Sequence, residues 1–160
     1  MYWRKFTLLK DISAIFIIFS PFCFNLETCQ HKKVGIFDSN KFPNSRFTDF
    51  LRYNDNRPEY VRITYPNQEY SWNTIEAGEG WIQVDLGEVY EIHGLDIRGR
   101  CWCAGSSQSY YYTKTFKLLY GLEDGGLSFC KDKEGNNEMF YGNDENSWND
   151  TIHINLNMKI

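Results

Sequence analysis

The chain has 160 residues, a net charge of −4 and a pI near 5.4. That length suits one domain with a hydrophobic core, not two packed ones. The acidic balance argues against nucleic acid as a partner held by overall charge, and an aromatic share of 18% is far from a disordered composition.

The first 24 residues stand apart. MYWRKFTLLK carries Arg4, Lys5 and Lys10, and ISAIFIIFSPFCF is almost wholly apolar from Ile12 to Phe24. A basic stretch followed by a short apolar run predicts a secretory signal peptide over 1–24. The run is short for a membrane span of about 20 residues. No clean small-x-small cleavage pair accompanies it. Secretion places the remaining cysteines in an oxidising compartment. If Cys23 leaves with the leader, Cys29, Cys101, Cys103 and Cys130 remain. Cys101 and Cys103 would close a tight ring on each other, so a bond from Cys130 to one of them is expected, with Cys29 left over. Zinc fails on spacing, because C-x-C with isolated His31, His93 and His153 gives no two-by-two ligand pattern.

Strand signals then recur in order, separated by turn residues. Tyr60–Pro66 alternates Val61, Ile63 and Tyr65 with Arg62 and Thr64. WIQVDLG places Ile82, Val84 and Leu86 on one face, and Gly87-Glu88 is expected to turn the chain. His93, Leu95 and Ile97 share a side of the next run. Phe116, Leu118 and Tyr120 follow in register. EDGG, 123–126, reads as a hairpin turn into LSFCK. EMFYGND and TIHINL close the series. No segment after the leader sustains a 3.6-residue apolar period over three turns. Many short strands joined by unequal loops predict an all-β sandwich or barrel.

Three loops are long and chemically rich: 47–59, 67–71 and 101–112. The first offers Phe50, Leu51 and Tyr53 beside Arg46, Arg52 and Arg57. The second offers Tyr70. The third offers Trp102 and Tyr110 to Tyr112 next to Arg100. Aromatics ringed by arginines suit an anionic membrane surface, with apolar tips entering the interface and guanidiniums meeting head groups. They also suit a glycan or a protein partner. Core roles compete at several of these positions. Trp72 and Trp81 read as core, Asp85 as a group satisfying backbone amides, and Tyr110 to Tyr112 as the start of a strand. Asn149-Asp150-Thr151 is an N-glycosylation sequon. Asn143 to Asn146 supplies oxygen ligands of the kind calcium takes, although such a run is more often a solvated turn. No G-x-S-x-G, H-E-x-x-H or Gly-rich phosphate loop is present. A non-enzymatic binding protein without a required cofactor is therefore expected.

GWIQVDLGEVYEIHGLDIRGR closely resembles the signature of the discoidin domain, also called the coagulation factor 5/8 C-terminal-type domain. Trp81, Gln83, Asp85, Leu86, Gly87, Gly94, Gly99 and Arg100 stand in its places, and Arg98 replaces the usual Gln. Cys29 with VGIFDSNKFPNSRF resembles the family's opening, through Gly35, Asp38, Phe42 and Ser45. Arg62-Ile63, Trp72, YTKTFKLLYGLEDGG and FYGNDENSWN resemble later landmarks in the same order. The resemblance runs from Cys29 to Ile160. It implies an eight-stranded, jelly-roll-like barrel of the galactose-binding type, with ligands taken at one end by protruding loops. The family's closing strand and terminal cysteine are not matched. The resemblance therefore implies a domain over 29–160 whose last strands are missing, a Cys29 without its partner, and a larger multidomain parent. It further implies a secreted or cell-surface adhesion module for phospholipid, glycan or extracellular protein. The alternatives are a galactose- or fucose-type lectin module of a larger protein and a structural domain of a receptor ectodomain.

Overall fold

The structure is a computed structural model that describes residues 2–10, 35–63, 71–75, 80–104, 107–121 and 126–156. Its elements in chain order are β1 (Tyr2–Lys10), a 3-10 turn (Asn44–Arg46), β2 (Phe47–Phe50), a second 3-10 turn (Pro58–Val61), β3 (Trp81–Glu91), β4 (Gly94–Ile97), β5 (Arg100–Ala104), β6 (Ser107–Tyr111), β7 (Thr115–Gly121), β8 (Ser128–Phe129), β9 (Phe140–Tyr141) and β10 (Ile152–Asn155). Among the described residues the fold is all-β, with three antiparallel sheets. The largest runs β2-β3-β1-β7-β8, and β9 also pairs with β7. β10 pairs with β4, and β5 with β6.

Alternation in the sequence sets the inner face. Ile82, Val84 and Leu86 of β3 are buried, as are Phe116 and Leu118 of β7 and Leu95 and Ile97 of β4. They join Ile36, Phe42, Phe47, Val61, Trp72, Phe140 and Leu156 in one core cluster. Phe116 and Phe140 stack with centroids 5.3 Å apart. Each such side chain contributes about 1.5–3 kcal/mol by leaving water.

The register fixes the two ends of the large sheet. Phe50 lies opposite Trp81, Leu9 opposite Trp81, Lys10 opposite Phe116, and Thr115 opposite Tyr141. The end of β2 and the starts of β3 and β7 therefore share one end, hereafter the rim. Tyr2 with Glu91, and Lys5 with Gly121, mark the opposite end.

Several local expectations change. Tyr60–Pro66 does not open as a strand. Pro58 starts a 3-10 turn in which the Tyr60 amide donates to the Arg57 carbonyl and the Arg62 amide to the Glu59 carbonyl. Those short bonds satisfy the backbone locally; residues 64–66 lie outside the described residues. Gly87-Glu88 does not end β3. Opposite β1 the register jumps from Asp85 to Tyr90 between Lys5 and Trp3, so the extra residues bulge and the strand continues. Asp85 Oδ1 accepts the Gly87 amide at 2.8 Å, the role expected of it. Of the expected EDGG turn, residues 123–125 lie outside the described residues. The strands around it, β7 and β8, pair as a hairpin would.

The basic opening of the segment expected to be a leader, Tyr2–Lys10, forms β1 and lies between β3 and β7. Residues 11–34, with the apolar run and Cys29, lie outside the described residues.

Candidate functional site

The first aromatic and basic segment is only partly a loop. Phe47–Phe50 is strand β2, paired with β3, because Phe47 has a core pocket to fill. The loop proper is 51–57. It is fastened to the segment that carries Trp72. The Tyr53 amide donates to the Asn73 carbonyl at 2.8 Å, and the Ile75 amide to the Leu51 carbonyl at 3.0 Å. Asn56 Nδ2 bonds Asn73 Oδ1, and Trp72 Nε1 donates to Asp49 Oδ2 at 2.8 Å from a fully buried ring. Leu51 and Asn54 take positive φ, 59° and 48°. Such values strain a leucine and persist only where the surroundings impose them. Gly80 completes the seat: a Cβ there would stand 1.8 Å from Thr74 Cγ2.

This scaffold leaves apolar side chains in solvent. Phe50 is 52% exposed, Tyr53 46% and Ile75 61%. Leu51 is half-buried, and Phe50 stacks on Trp81 at 6.3 Å. Arg52 and Arg57 are exposed beside them, and Arg52 Nη1 is 3.9 Å from Asp49 Oδ1. The patch sits at the rim, where β2 ends.

The third segment, expected as a loop, is a regular antiparallel ribbon of β5 and β6. Arg100 pairs with Tyr111, Cys101 with Tyr110, and Ala104 with Ser107. Ladder bonds hold its backbone; of this ribbon the sequence signalled only a strand at Tyr110 to Tyr112, and β6 runs Ser107–Tyr111. Its base lies at the rim, since Tyr111 leads directly to β7 at Thr115. Arg100 is half-buried, and Tyr110 is exposed and packs on Trp148 at 4.6 Å. Tyr111 and Tyr112 are half-buried, so none of the three tyrosines enters the core. Trp102 lies on β5 opposite Ser109, but its side chain lies outside the described residues. Tyr70 does too, leaving only buried Ser71 of the second loop.

The expected Cys130 disulfide is not formed. Cys130 is a free, buried thiol, and Cys101 is disulfide-bonded. The Cys130 amide donates to the Leu118 carbonyl, which seats Cys130 against β7 in the main core, while Cys101 belongs to the separate ribbon. Burial, with Glu138 adding repulsion, pushes the Cys130 thiol up to about 12. Cys103 lies on β5, and its side chain and Cys29 lie outside the described residues.

Sequence reasoning missed how the 142–150 segment is used. Asn143 is 2% exposed. Its Nδ2 donates to the Ser147 carbonyl at 2.6 Å and the Asp150 carbonyl at 2.9 Å. Asp144 Oδ1 accepts the Asn146 amide, the Ser147 amide and the Ser147 hydroxyl at 2.8–2.9 Å. The Ser147 hydroxyl first, then these amides, holds the Asp144 carboxyl below the usual carboxylate range. The run considered for calcium thus spends one carboxylate oxygen on its own turn. No group of three metal-ligating side chains occurs among the described residues. The segment closes onto the ribbon base, where the Gly99 amide donates to the Trp148 carbonyl at 2.9 Å and Arg98 Nη2 to Asn149 Oδ1 at 2.6 Å. Asn149 is exposed. The G-N-D-E-N-S run, 142–147, between two strands was the available signal, but its packing partner is remote in sequence.

No protein-family model matches the chain, and no solved structure matches it. Curated relatives do. Mouse retinoschisin is 34% identical over 71 residues, covering 42% of this chain and 28% of that protein. Human retinoschisin is 33% identical over 69 residues, 41% of this chain and 27% of that protein. Mouse lactadherin is 28% identical over 114 residues, 71% of this chain and 24% of that protein. The chain spans about a quarter of the length of these relatives. Both are discoidin-domain proteins, and together with the all-β antiparallel fold they identify the similarity that the Trp81–Arg100 signature announced: this chain carries a discoidin-type domain.

Proposed function

We propose that the chain is an extracellular, non-enzymatic binding module that docks its rim on anionic phospholipid surfaces. One observation carries the reading: Phe50, Tyr53 and Ile75 stand in solvent together on a braced backbone, flanked by Arg52 and Arg57. Apolar side chains held outward at a fixed site have no folding benefit, whereas insertion into a lipid interface recovers their burial. The guanidiniums then meet phosphate oxygens. Leu51 and the ribbon residues Arg100 and Tyr110 belong to the same proposed face, and Tyr70 and Trp102 are proposed as further ligand contacts. Similarity to lactadherin and retinoschisin supports an extracellular binding role of this general kind. No helix among the described residues is long and apolar enough to cross a membrane.

Secretion through residues 1–24, glycosylation at Asn149 and a multidomain parent belong to the same proposal. The sheet adds a condition to the first. A chain cleaved after residue 24 loses β1, so another strand must fill the slot between β3 and β7. N-terminal sequencing of the exported protein tests this directly.

Co-sedimentation with phosphatidylserine-containing and pure phosphatidylcholine vesicles tests the docking. The serine lipid should be preferred. The double change Arg52→Glu and Arg57→Glu should abolish that preference at low salt, where exposed charges act at full strength. Unchanged lipid affinity in this variant would remove the membrane reading and favour a glycan or protein ligand.

A further inference from the structure

Asp49, which the docking patch leaves unexplained, places a negative charge on the core side of β2. Burial alternates along that strand. Phe47 is in the core, Thr48 and Phe50 are exposed, and Asp49 shares the face of Phe47 and lies opposite Ile82. Its side chain is 11% exposed. A carboxylate in such a place costs free energy unless partners compensate it. One partner is the indole of fully buried Trp72, whose Nε1 donates to Oδ2 at 2.8 Å. An indole N–H is a neutral donor, and an asparagine carbonyl would accept it as well. The bond therefore explains an oxygen at this position and not its charge.

The charge meets one cation. Asp49 Oδ1 lies 3.9 Å from Arg52 Nη1. That separation exceeds a hydrogen bond, so the guanidinium is attracted without spending its donors. The backbone keeps Arg52 within reach. It bridges Thr74, close to Trp72 in sequence, and follows Leu51, whose φ of 59° turns the chain out of β2. The carboxylate is thus anchored to the core by one oxygen and faces a rim arginine with the other. Asp55, in the loop proper, is exposed and joins no ion pair among the described residues.

We propose that Asp49 is a specificity-determining residue of the rim: its fixed negative charge offsets that of Arg52, so docking requires a densely anionic surface. The proposal rests on the docking reading above. On a bilayer with few net charges, the built-in carboxylate offsets the pull on Arg52. On one rich in serine lipid, the negative surface potential outweighs a single carboxylate. An ion pair with one exposed partner is weak, so it raises the charge density that docking needs without blocking docking.

The test is co-sedimentation of the full chain with phosphatidylcholine vesicles containing graded amounts of phosphatidylserine. Asp49→Asn keeps an acceptor for Trp72 and removes the charge. Its affinity at low salt should rise about two- to fivefold, the worth of an ion pair of this exposure. Half-maximal binding should come at a lower serine-lipid fraction. The gain should shrink at high salt, and most of it should be lost in the Arg52→Gln background, as coupling through that residue requires. Asp55→Asn removes an equal charge from the same loop and should give a smaller gain. Urea unfolding of Asp49→Asn should match the parent, whereas Asp49→Ala, which loses the Trp72 bond, should unfold at lower urea. Four results would each overturn the proposal: unchanged lipid affinity in Asp49→Asn, a gain undiminished by Arg52→Gln, an equal gain in Asp55→Asn, or a clear loss of stability in Asp49→Asn. All four leave docking by the parent intact. A parent that ignores serine lipid removes the docking reading and this proposal together, so the two failures are told apart.

Discussion

Arg62→Ala offers the sharpest check on how the rim is braced. Arg62 is 8% exposed. Its Nε donates to the Ile36 carbonyl at 2.9 Å, Nη1 to Asn44 Oδ1 at 2.7 Å and Nη2 to the Phe42 carbonyl. The guanidinium lies over the Phe47 ring at 4.4 Å. Burial lowers its pKa and Glu59 opposes that shift, but the group stays charged at any ordinary pH. Alanine leaves the Ile36 and Phe42 carbonyls without this donor among buried neighbours, at about 1–2 kcal/mol each, and removes a cation–π contact of about 1 kcal/mol. Asn44 is exposed and recovers its bond from water. A loss of about 3–5 kcal/mol follows, a large part of the about 5–15 kcal/mol that holds a typical domain together. Urea unfolding followed by tryptophan fluorescence, with Trp72 fully buried, should show the midpoint falling by roughly 1.5–2.5 M at a slope of about 2 kcal/mol/M. Arg62→Lys keeps the charge but cannot bridge three acceptors with one ammonium, so it should lose about half as much. A lysine variant as stable as the parent, or an alanine loss below about 1 kcal/mol, would refute the claim that this fork clamps the 36–44 segment to the second 3-10 turn.

Further outcomes follow from single contacts. Phe50→Ala removes a half-exposed ring and should weaken serine-lipid binding by about tenfold, on about 1.5 kcal/mol of lost interface burial, while leaving urea stability nearly unchanged. Cys130, raised from 9.0 to about 12, keeps its proton in the fold when the unfolded chain has lost it. Its stabilisation is complete below pH 9 and declines above it by up to about 1.4 kcal/mol per pH unit; Cys130→Ala should flatten that decline in pH-dependent unfolding. Native Cys130 should also resist iodoacetamide and react once unfolded. Gly80→Val places carbon against Thr74 and the Phe50 carbonyl, so it should cost about 1–3 kcal/mol and blunt vesicle binding together, measured by unfolding and sedimentation.

The sequence by itself determined the class of fold, the inner face and the family. Ile82, Val84, Leu86, Leu95, Ile97, Phe116 and Leu118 alternate because one face of each strand must leave water, and all seven are buried. Period two was weaker at 60–63. There Val61, Arg62 and Ile63 are all buried, because Arg62 goes inward with its own hydrogen-bond partners and a proline opens a tighter turn. The aromatic and basic residues of the first rim loop were also legible. Their exposure was not, since composition does not say which face of Phe50 meets Trp81. Only the tertiary structure decided three further points. It paired the ribbon that the third loop became. It left Cys130 free in the core. It set Tyr112 and Lys114 beside a turn some thirty residues later, enclosing a pocket. Each depends on which distant segments share a ladder, and that choice follows from the whole set of pairings and not from any local pattern.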